Sequence, residues 1–396
     1  MINTYDFVVF SHLRWDFVFQ RPQHLLSRFA QQHRVIFIEE PVRTEGKAHW
    51  EYVDTGDNVI VCRPHTQLEQ GGFSDAQLKE ISRLMPDLIG KLDLRNYVAW
   101  FYTPMALPLL NDIAPSSVIY DCMDELSAFL NAPKELLDRE ERLLKIADLV
   151  FTGGPSLYRA KQHRNPSVHC FPSSVDAHHY AKAKPGAQIE AADQASLPRP
   201  RLGYFGVIDE RIDIGLLDKL AKARPDWHIS LVGPVVKIDP ALLPKHSNIT
   251  YFGQRSYEQL PTYLAGWDVC MLPFALNKST KLISPTKTLE YMAAERMIVS
   301  TPITDVAEPY GKVVYIANGA QEFIAACDRA MNISPSERTE RVAGMREVLS
   351  KTSWDNTANK MLNLISKSMG VASRTAGPLT LVASASPRLD TRVQGD

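Results

Sequence analysis

Short apolar runs alternate with stretches of helical periodicity twice along this chain, and the alternation fixes what it can fold into. In the first series the runs are Phe7–Phe10, Val35–Ile38, Val59–Cys62, Tyr97–Phe101, Val118–Tyr120, Leu149–Thr152 and Val168–Phe171. Helices are expected between them near 21–32, 75–90, 105–112, 132–147 and 155–163. A polar, Ala-rich stretch ending Pro198-Arg199-Pro200 breaks the pattern, which restarts at Arg201. The new series runs through Gly206 to a helix near 214–223, then strands at Trp227–Val232, Ile249–Phe252, Val269–Leu272, Ile298–Ser300 and Val313–Ile316. Helices near 319–331 and 335–348 close it, and 354–369 reads as one more amphipathic helix. Strands separated by helices of 10 to 15 residues build βαβ units and mainly parallel sheets. The expected class is therefore α/β, two tandem Rossmann-like doubly wound domains facing a cleft, each binding ligands at the carboxyl ends of its strands. The expected boundaries are 1–180 for the first domain, 181–200 for a linker and 201–350 for the second domain. Residues 351–370 would carry the terminal helix, and 371–396, rich in Ser, Ala, Pro and Arg, a disordered tail.

Composition narrows the function classes. A length of 396 residues exceeds one ordinary core, and 45% hydrophobic with 22% charged residues is typical of a soluble globular chain. A formal net charge of −1 argues against a nucleic-acid binder. No apolar run approaches the roughly 20 residues that span a bilayer, and residues 1–10 read as a strand rather than a signal peptide. Five scattered cysteines without Cys-x-x-Cys spacing suggest reduced thiols in a cytoplasm and no metal site.

The densest chemistry lies in Ser284-Pro285-Thr286-Lys287-Thr288-Leu289-Glu290-Tyr291. Ser284 suits an N-cap and Pro285 the first helical position, with a helix running on through Ala294. At 100° per residue Lys287 and Glu290 share a face with Ala294, opposite Leu289, Met292 and Ala293. A cation for phosphate and a carboxylate for hydroxyls would thus project together, although an ordinary surface helix can carry the same Lys–Glu pair. Pro285-x-Lys287-x-x-Glu290-Tyr291-x-Ala293, followed by the strand-like Met297–Pro302, resembles the donor-site helix of GT-B-fold glycosyltransferases. It is most similar to the family 4 group and its bacterial cell-surface-polysaccharide relatives, over essentially residues 5–369. The resemblance implies that Glu290 holds the donor ribose, that Lys287 serves the diphosphate or ribose, and that Ser284, Pro285 and Thr286 face phosphate. It places the turn at Gly206 and the cation Arg211 beside the diphosphate, and sends the helix 354–369 back to the first domain. The family carries a second glutamate eight positions earlier, where this chain has Leu282; Lys281 and Ser284 are candidates to contact the transferred sugar instead. A plain βα turn at Gly206 is the competing reading.

In the first domain His12 follows the first strand, in a loop without the family's glycine, and is a catalytic candidate facing the cleft, although a lone histidine is more often structural. Gln20-Arg21-Pro22 resembles the helix start of the polysaccharide-type subgroup. Arg21 could meet phosphate or acceptor, or simply be solvated. Val118–Tyr120 leads into Asp121, Asp124 and Glu125, three carboxylates at the ligand-binding end of a parallel sheet. Many family members carry a histidine there. Asp121, the first choice, or Asp124 could bind sugar hydroxyls or take the acceptor proton, and either could equally cap a helix.

The expected activity is transfer of a sugar from a nucleoside diphosphate donor, UDP-linked, to a hydroxyl of a glycan or lipid-linked saccharide, with retention and no enzyme nucleophile. The nucleotide-sugar is a substrate, so no cofactor and no metal is expected. The expected place is the cytoplasm, with peripheral contact at the inner face of the membrane; the oligomeric state is not readable. Two alternatives stay open: a nucleotide-sugar 2-epimerase, and a catalytically silent GT-B subunit.

Overall fold

A computed structural model describes residues 5–372 and contains two mainly parallel sheets. The first sheet holds β1 (Asp6–Phe10), β2 (Val35–Ile38), β3 (Val42–Arg43), β4 (His49–Asp54), β5 (Val59–Thr66), β6 (Tyr97–Phe101), β7 (Ser117–Cys122), β8 (Leu149–Thr152) and β9 (Val168–Cys170). Its helices are α1 (Arg21–Phe29), α2 (Asp75–Lys91), α3 (Glu135–Ile146) and α4 (Pro155–Lys161). After α5 (Ala177–Ala181) and α6 (Ala192–Ala195) comes the second sheet: β10 (Arg201–Phe205), β11 (His228–Val232), β12 (Ile249–Gly253), β13 (Val269–Leu272), β14 (Met297–Ser300) and β15 (Tyr315–Ile316). Around it lie α7 (Ile214–Ala223), α8 (Leu260–Ala265), α9 (Lys287–Ala293), α10 (Thr304–Tyr310), α11 (Gly319–Met331) and α12 (Pro335–Ser350), and α13 (Trp354–Ala372) follows.

Strand order is β3-β5-β2-β1-β6-β7-β8-β9 in the first sheet and β12-β11-β10-β13-β14-β15 in the second. Both orders reverse direction once, between β1 and β6 and between β10 and β13. In doubly wound sheets that reversal opens the crevice where ligands bind.

The central strands are mostly apolar because both faces are covered, whereas β3 and β4 beyond them are not. Successive side chains of β1 go to opposite sides: Phe7 and Val9 join Phe37, Trp100 and Phe151, whereas Val8 and Phe10 join Ile36, Ile38 and Phe101. Leu78, Ile81, Met85 and Leu88 of α2 and Leu143 and Leu144 of α3 cover the second group. The first group is covered by Leu25, Leu26 and Phe29 of α1 and by Trp354, Ala358, Met361 and Ile365 of α13. Those last four recur at steps of four, three and four residues, one stripe of a helix. α13 therefore returns from the second sheet to the first.

Several expectations need revision. The run at Val59 continues to Thr66 and pairs antiparallel with β4, which the sequence reading passed over. Residues 104–112 form a 3₁₀ helix, with Pro108 in its interior removing a backbone donor. The stretch 181–200 is no bare tether. Gln194 is fully buried, donating to the Tyr263 carbonyl at 2.9 Å and accepting from Trp267 Nε1 at 2.7 Å, so this segment packs on the second domain. Residues 371 and 372 end α13, and the rest of the expected tail lies outside the described residues.

Candidate active site

The segments that follow β1, β7, β10, β11 and β13 enclose a cleft of ≈ 1240 Å³ counted out to its mouth. Arg21, Met123 and Asp124 border it from the first domain, and Gly206, Arg211, Gly233, Lys287 and Glu290 from the second.

The second-domain wall is built on close backbone approach. Gly206 and Gly233 have φ of +138° and +145°. A Cβ on Gly233 would lie 1.9 Å from the Gly206 carbonyl oxygen, and one on Gly206 would lie 2.6 Å from Lys287 Cε. The lysine stem thus runs directly over the glycine turn. Arg211 is held by Asp209, Nε to Oδ1 at 3.0 Å and Nη2 to Oδ2 at 2.7 Å. Burial works against the guanidinium's charge, and the Asp209 carboxylate more than offsets it. Burial lowers the Lys287 pKa, with Glu290 and Asp124 opposing and Arg211 adding to the effect. Among the described residues no carboxylate forms an ion pair with its ammonium. Glu290 Oε2 is buried without a hydrogen-bond partner. Burial raises that carboxyl's pKa, against the pull of Lys287 and the hydroxyls of Thr286 and Tyr180.

Helix α9 starts later than its sequence suggests. Thr286 (φ −58°, ψ −33°) occupies the cap position, and Lys287 rather than Pro285 is the first helical residue. Ser284 is instead packed against the first domain, where a Cβ on Gly154 would meet its Cβ at 2.6 Å. Ser284, Pro285 and Thr286 still border the cleft, but a seven-residue helix has little macrodipole, so positive charge there comes mainly from side chains. Lys281 is exposed and lies outside the cleft wall. Leu282, at the position of the family's other glutamate, packs against the first domain's core.

The three carboxylates of the first domain separate clearly. Asp121 is fully buried under Arg21, with Nη2 to Oδ1 at 2.8 Å and Nε to Oδ2 at 3.0 Å. The remaining Arg21 terminal nitrogen donates to the Phe171 carbonyl at 2.8 Å. Asp121 is therefore closed to substrate, contrary to its choice on sequence grounds, and anchors an arginine that borders the cleft. Glu125 pairs with Lys161 at 2.8 Å. Only Asp124 of the three borders the cleft, where burial raises its pKa and Arg211, Lys287 and Lys237 oppose that rise. His12 does not border the cavity; its Nδ1 is buried without a partner. Burial pushes the ring down to about 4, helped by Lys237, so it is neutral at pH 7.

Two residues escaped the sequence reading. Lys237, in the left-handed region at φ +62°, places its ammonium 4.6 Å from the ring centre of Phe129 in the other domain. Its field reaches His12, Glu40 and Asp124. Glu40, just past β2, is pushed up to about 7 by burial, with Arg14 and Lys237 opposing. The paired glutamates after a strand were the one visible signal; nothing local marked Lys237.

Among the described residues no group of three His, Cys, Asp or Glu side chains could hold a metal, and no helix is long and apolar enough to cross a membrane. Residues 199–332, which span the second sheet, match the family model of the group 1 glycosyl transferases. Across 346 residues, 80% of this chain and 86% of its relative, the sequence is 23% identical to the "Putative teichuronic acid biosynthesis glycosyltransferase TuaH" of Bacillus subtilis. Sucrose-phosphate synthase from Thermosynechococcus elongatus superposes at a TM-score of 0.69 with 15% identity, covering 93% of this chain and 100% of that one. The chain is a glycosyltransferase of the GT-B fold. HepE of Anabaena, solved with UDP and glucose, shares the fold with this glycosyltransferase at a TM-score of 0.65 and 13% identity, covering 92% of this chain and 100% of that one.

Proposed function

We propose that this glycosyltransferase takes its sugar from a UDP-linked donor and passes it to a hydroxyl of a glycan or lipid-linked saccharide. One observation carries the donor side. Glu290 Oε2 is a buried acceptor without a donor, one turn from Lys287, a cation without an ion pair, and both open into one cleft. A ribose hydroxyl satisfies the first and a diphosphate the second, with Arg211 beside it. The leaving diphosphate gathers charge in the transition state, and fixed cations stabilise it there more than in the ground state. UDP rather than another nucleotide is supported by the UDP named with HepE and by the resemblance of the donor segment.

The acceptor enters from the first domain. Asp124 faces the cations across the cleft and would hold or deprotonate the incoming hydroxyl, with Lys237 close enough to act on its charge. Retention of anomeric configuration rests on the donor-segment resemblance alone. Calorimetry with UDP, ADP and GDP, followed by UDP release assayed with and without saccharide acceptors, tests the reading. Preference for ADP or GDP would overturn the donor assignment. UDP release independent of acceptor would favour epimerase or hydrolase chemistry, and binding without release a silent subunit.

A further inference from the structure

Helix α4 begins without a cap from its own segment. Its cap position is Gly154, fully extended at φ −174° and ψ 166°, which has no side chain to offer. The acceptor comes from the other domain. Asp305, 3% exposed in the first turn of α10, takes the Ser156 N–H at 3.1 Å and 3.3 Å to its two oxygens and the Ser156 hydroxyl at 2.5 Å. Arg159 reinforces the contact, donating to Ser156 Oγ at 3.1 Å and pairing with Glu308 at 3.1 Å.

The glycines beside this cap are compressed between both halves of the site. A Cβ on Gly154 would lie within 3 Å of both an Asp305 oxygen and Ser284 Cβ, the latter three residues before Lys287. On the opposite side a Cβ on Gly153 would lie 2.6 Å from the carbonyl oxygen of Met123, the neighbour of Asp124. Four segments are thus stacked in contact: the Asp124 loop, the diglycine, the start of the donor segment, and Asp305.

We propose that Asp305 is a positioning residue for sugar transfer: by capping α4 from across the domain interface, it sets the spacing between Asp124 and the Lys287–Glu290 donor segment. The inference rests on the roles proposed above for those residues. It accounts for two adjacent glycines where any side chain would wedge the stack apart, and for a buried carboxylate with no substrate to meet. A displacement of the order of 1 Å between reacting groups can cost about a hundredfold in rate while leaving binding intact.

The test uses the full chain with Asp305→Ala, Asp305→Asn and the milder Ser156→Ala. An asparagine can still accept the Ser156 N–H and donate to its hydroxyl, so it keeps the geometry and removes the charge. Expected for Asp305→Ala is a fall in kcat of about tenfold or more with UDP affinity within about twofold of wild type. Asp305→Asn should recover most of that loss, and Ser156→Ala should fall between the two. Amide hydrogen exchange followed by mass spectrometry should show residues 122–126 and 284–290 loosening together with 153–161 in Asp305→Ala. Wild-type kcat in the alanine variant, an equal loss in the asparagine variant, or exchange confined to 153–161 would each overturn the proposal. Should wild type itself turn over no UDP-sugar, the donor assignment fails, and the exchange pattern still decides whether Asp305 couples the two walls.

Discussion

Replacing Glu290 by glutamine separates binding from folding by sign. In the free protein the carboxylate bears a desolvation cost, since Oε2 is buried without a donor and burial raises the group's pKa. Glutamine keeps the shape and removes the charge, so the unliganded variant should be as stable as wild type or more so. Bound ribose hydroxyls reverse the balance, because hydrogen bonds to a charged acceptor contribute about 1.5–3 kcal/mol. Their loss corresponds to a rise of about 10- to 150-fold in the UDP Kd. The pH dependence has a definite direction. A carboxyl whose folded pKa lies above its unfolded value takes up protons on folding, so it favours the folded state at acid pH. That contribution is lost as pH rises through the folded pKa. The variant's Tm advantage should therefore be present at pH 7 and vanish toward pH 4.5. Thermal denaturation from pH 4.5 to 7.5, with and without UDP, together with calorimetry at pH 7, reads all of this. An unchanged Kd for UDP, or a destabilised unliganded variant, would refute the assignment of Glu290 as a waiting ribose ligand.

Other consequences are as concrete. Lys287→Ala should weaken UDP by about 1.5–3 kcal/mol and leave uridine nearly untouched, because the unpaired ammonium is matched to a diphosphate; equal losses for both would move its action to the fold. Asp124→Asn should lower kcat by about a hundredfold at constant UDP affinity, measured in single-turnover and binding experiments. Asp121→Asn should instead cost about 3–5 kcal/mol of stability in denaturant titrations, since it leaves Arg21 buried without its counter-charge. Gly206→Ala should weaken UDP binding, because the new methyl sits where Lys287 passes at 2.6 Å and the backbone there is left-handed.

The fold was legible because its signals are local. Strands buried on both faces, such as Val35–Ile38, read as uninterrupted apolar runs, and α13 declares its buried stripe through Trp354, Ala358, Met361 and Ile365. β4 was missed because Glu51, Tyr52, Val53 and Asp54 are only half buried or exposed, and an edge hairpin strand need not be apolar. At the candidate site, Lys287 and Glu290 could be read together since three positions on a helix share a face. Choosing between Asp121 and Asp124 could not succeed on sequence. The decisive fact is an arginine 100 positions away that occupies Asp121 completely. Lys237 depends likewise on a left-handed backbone and on Phe129 in another domain, neither of which leaves a trace in its neighbours.

The return of α13 to the first sheet has a consequence for how the chain is made. The second sheet, from Arg201 to Ile316, is complete in sequence before Trp354 has been added. During that interval the side of the first sheet holding Phe7, Val9 and Trp100 has α1 over it but not its other helix. The half synthesised first is therefore finished last, through contacts such as the Arg28–Asp355 ion pair, whose partners are 327 positions apart, and the stacking of His24 on Trp354. Contacts of such separation form slowly, and apolar surface left open meanwhile invites association with other chains. A nascent chain stalled near residue 350 would thus present a finished second domain joined to an unsealed first one, the form a chaperone should recognise.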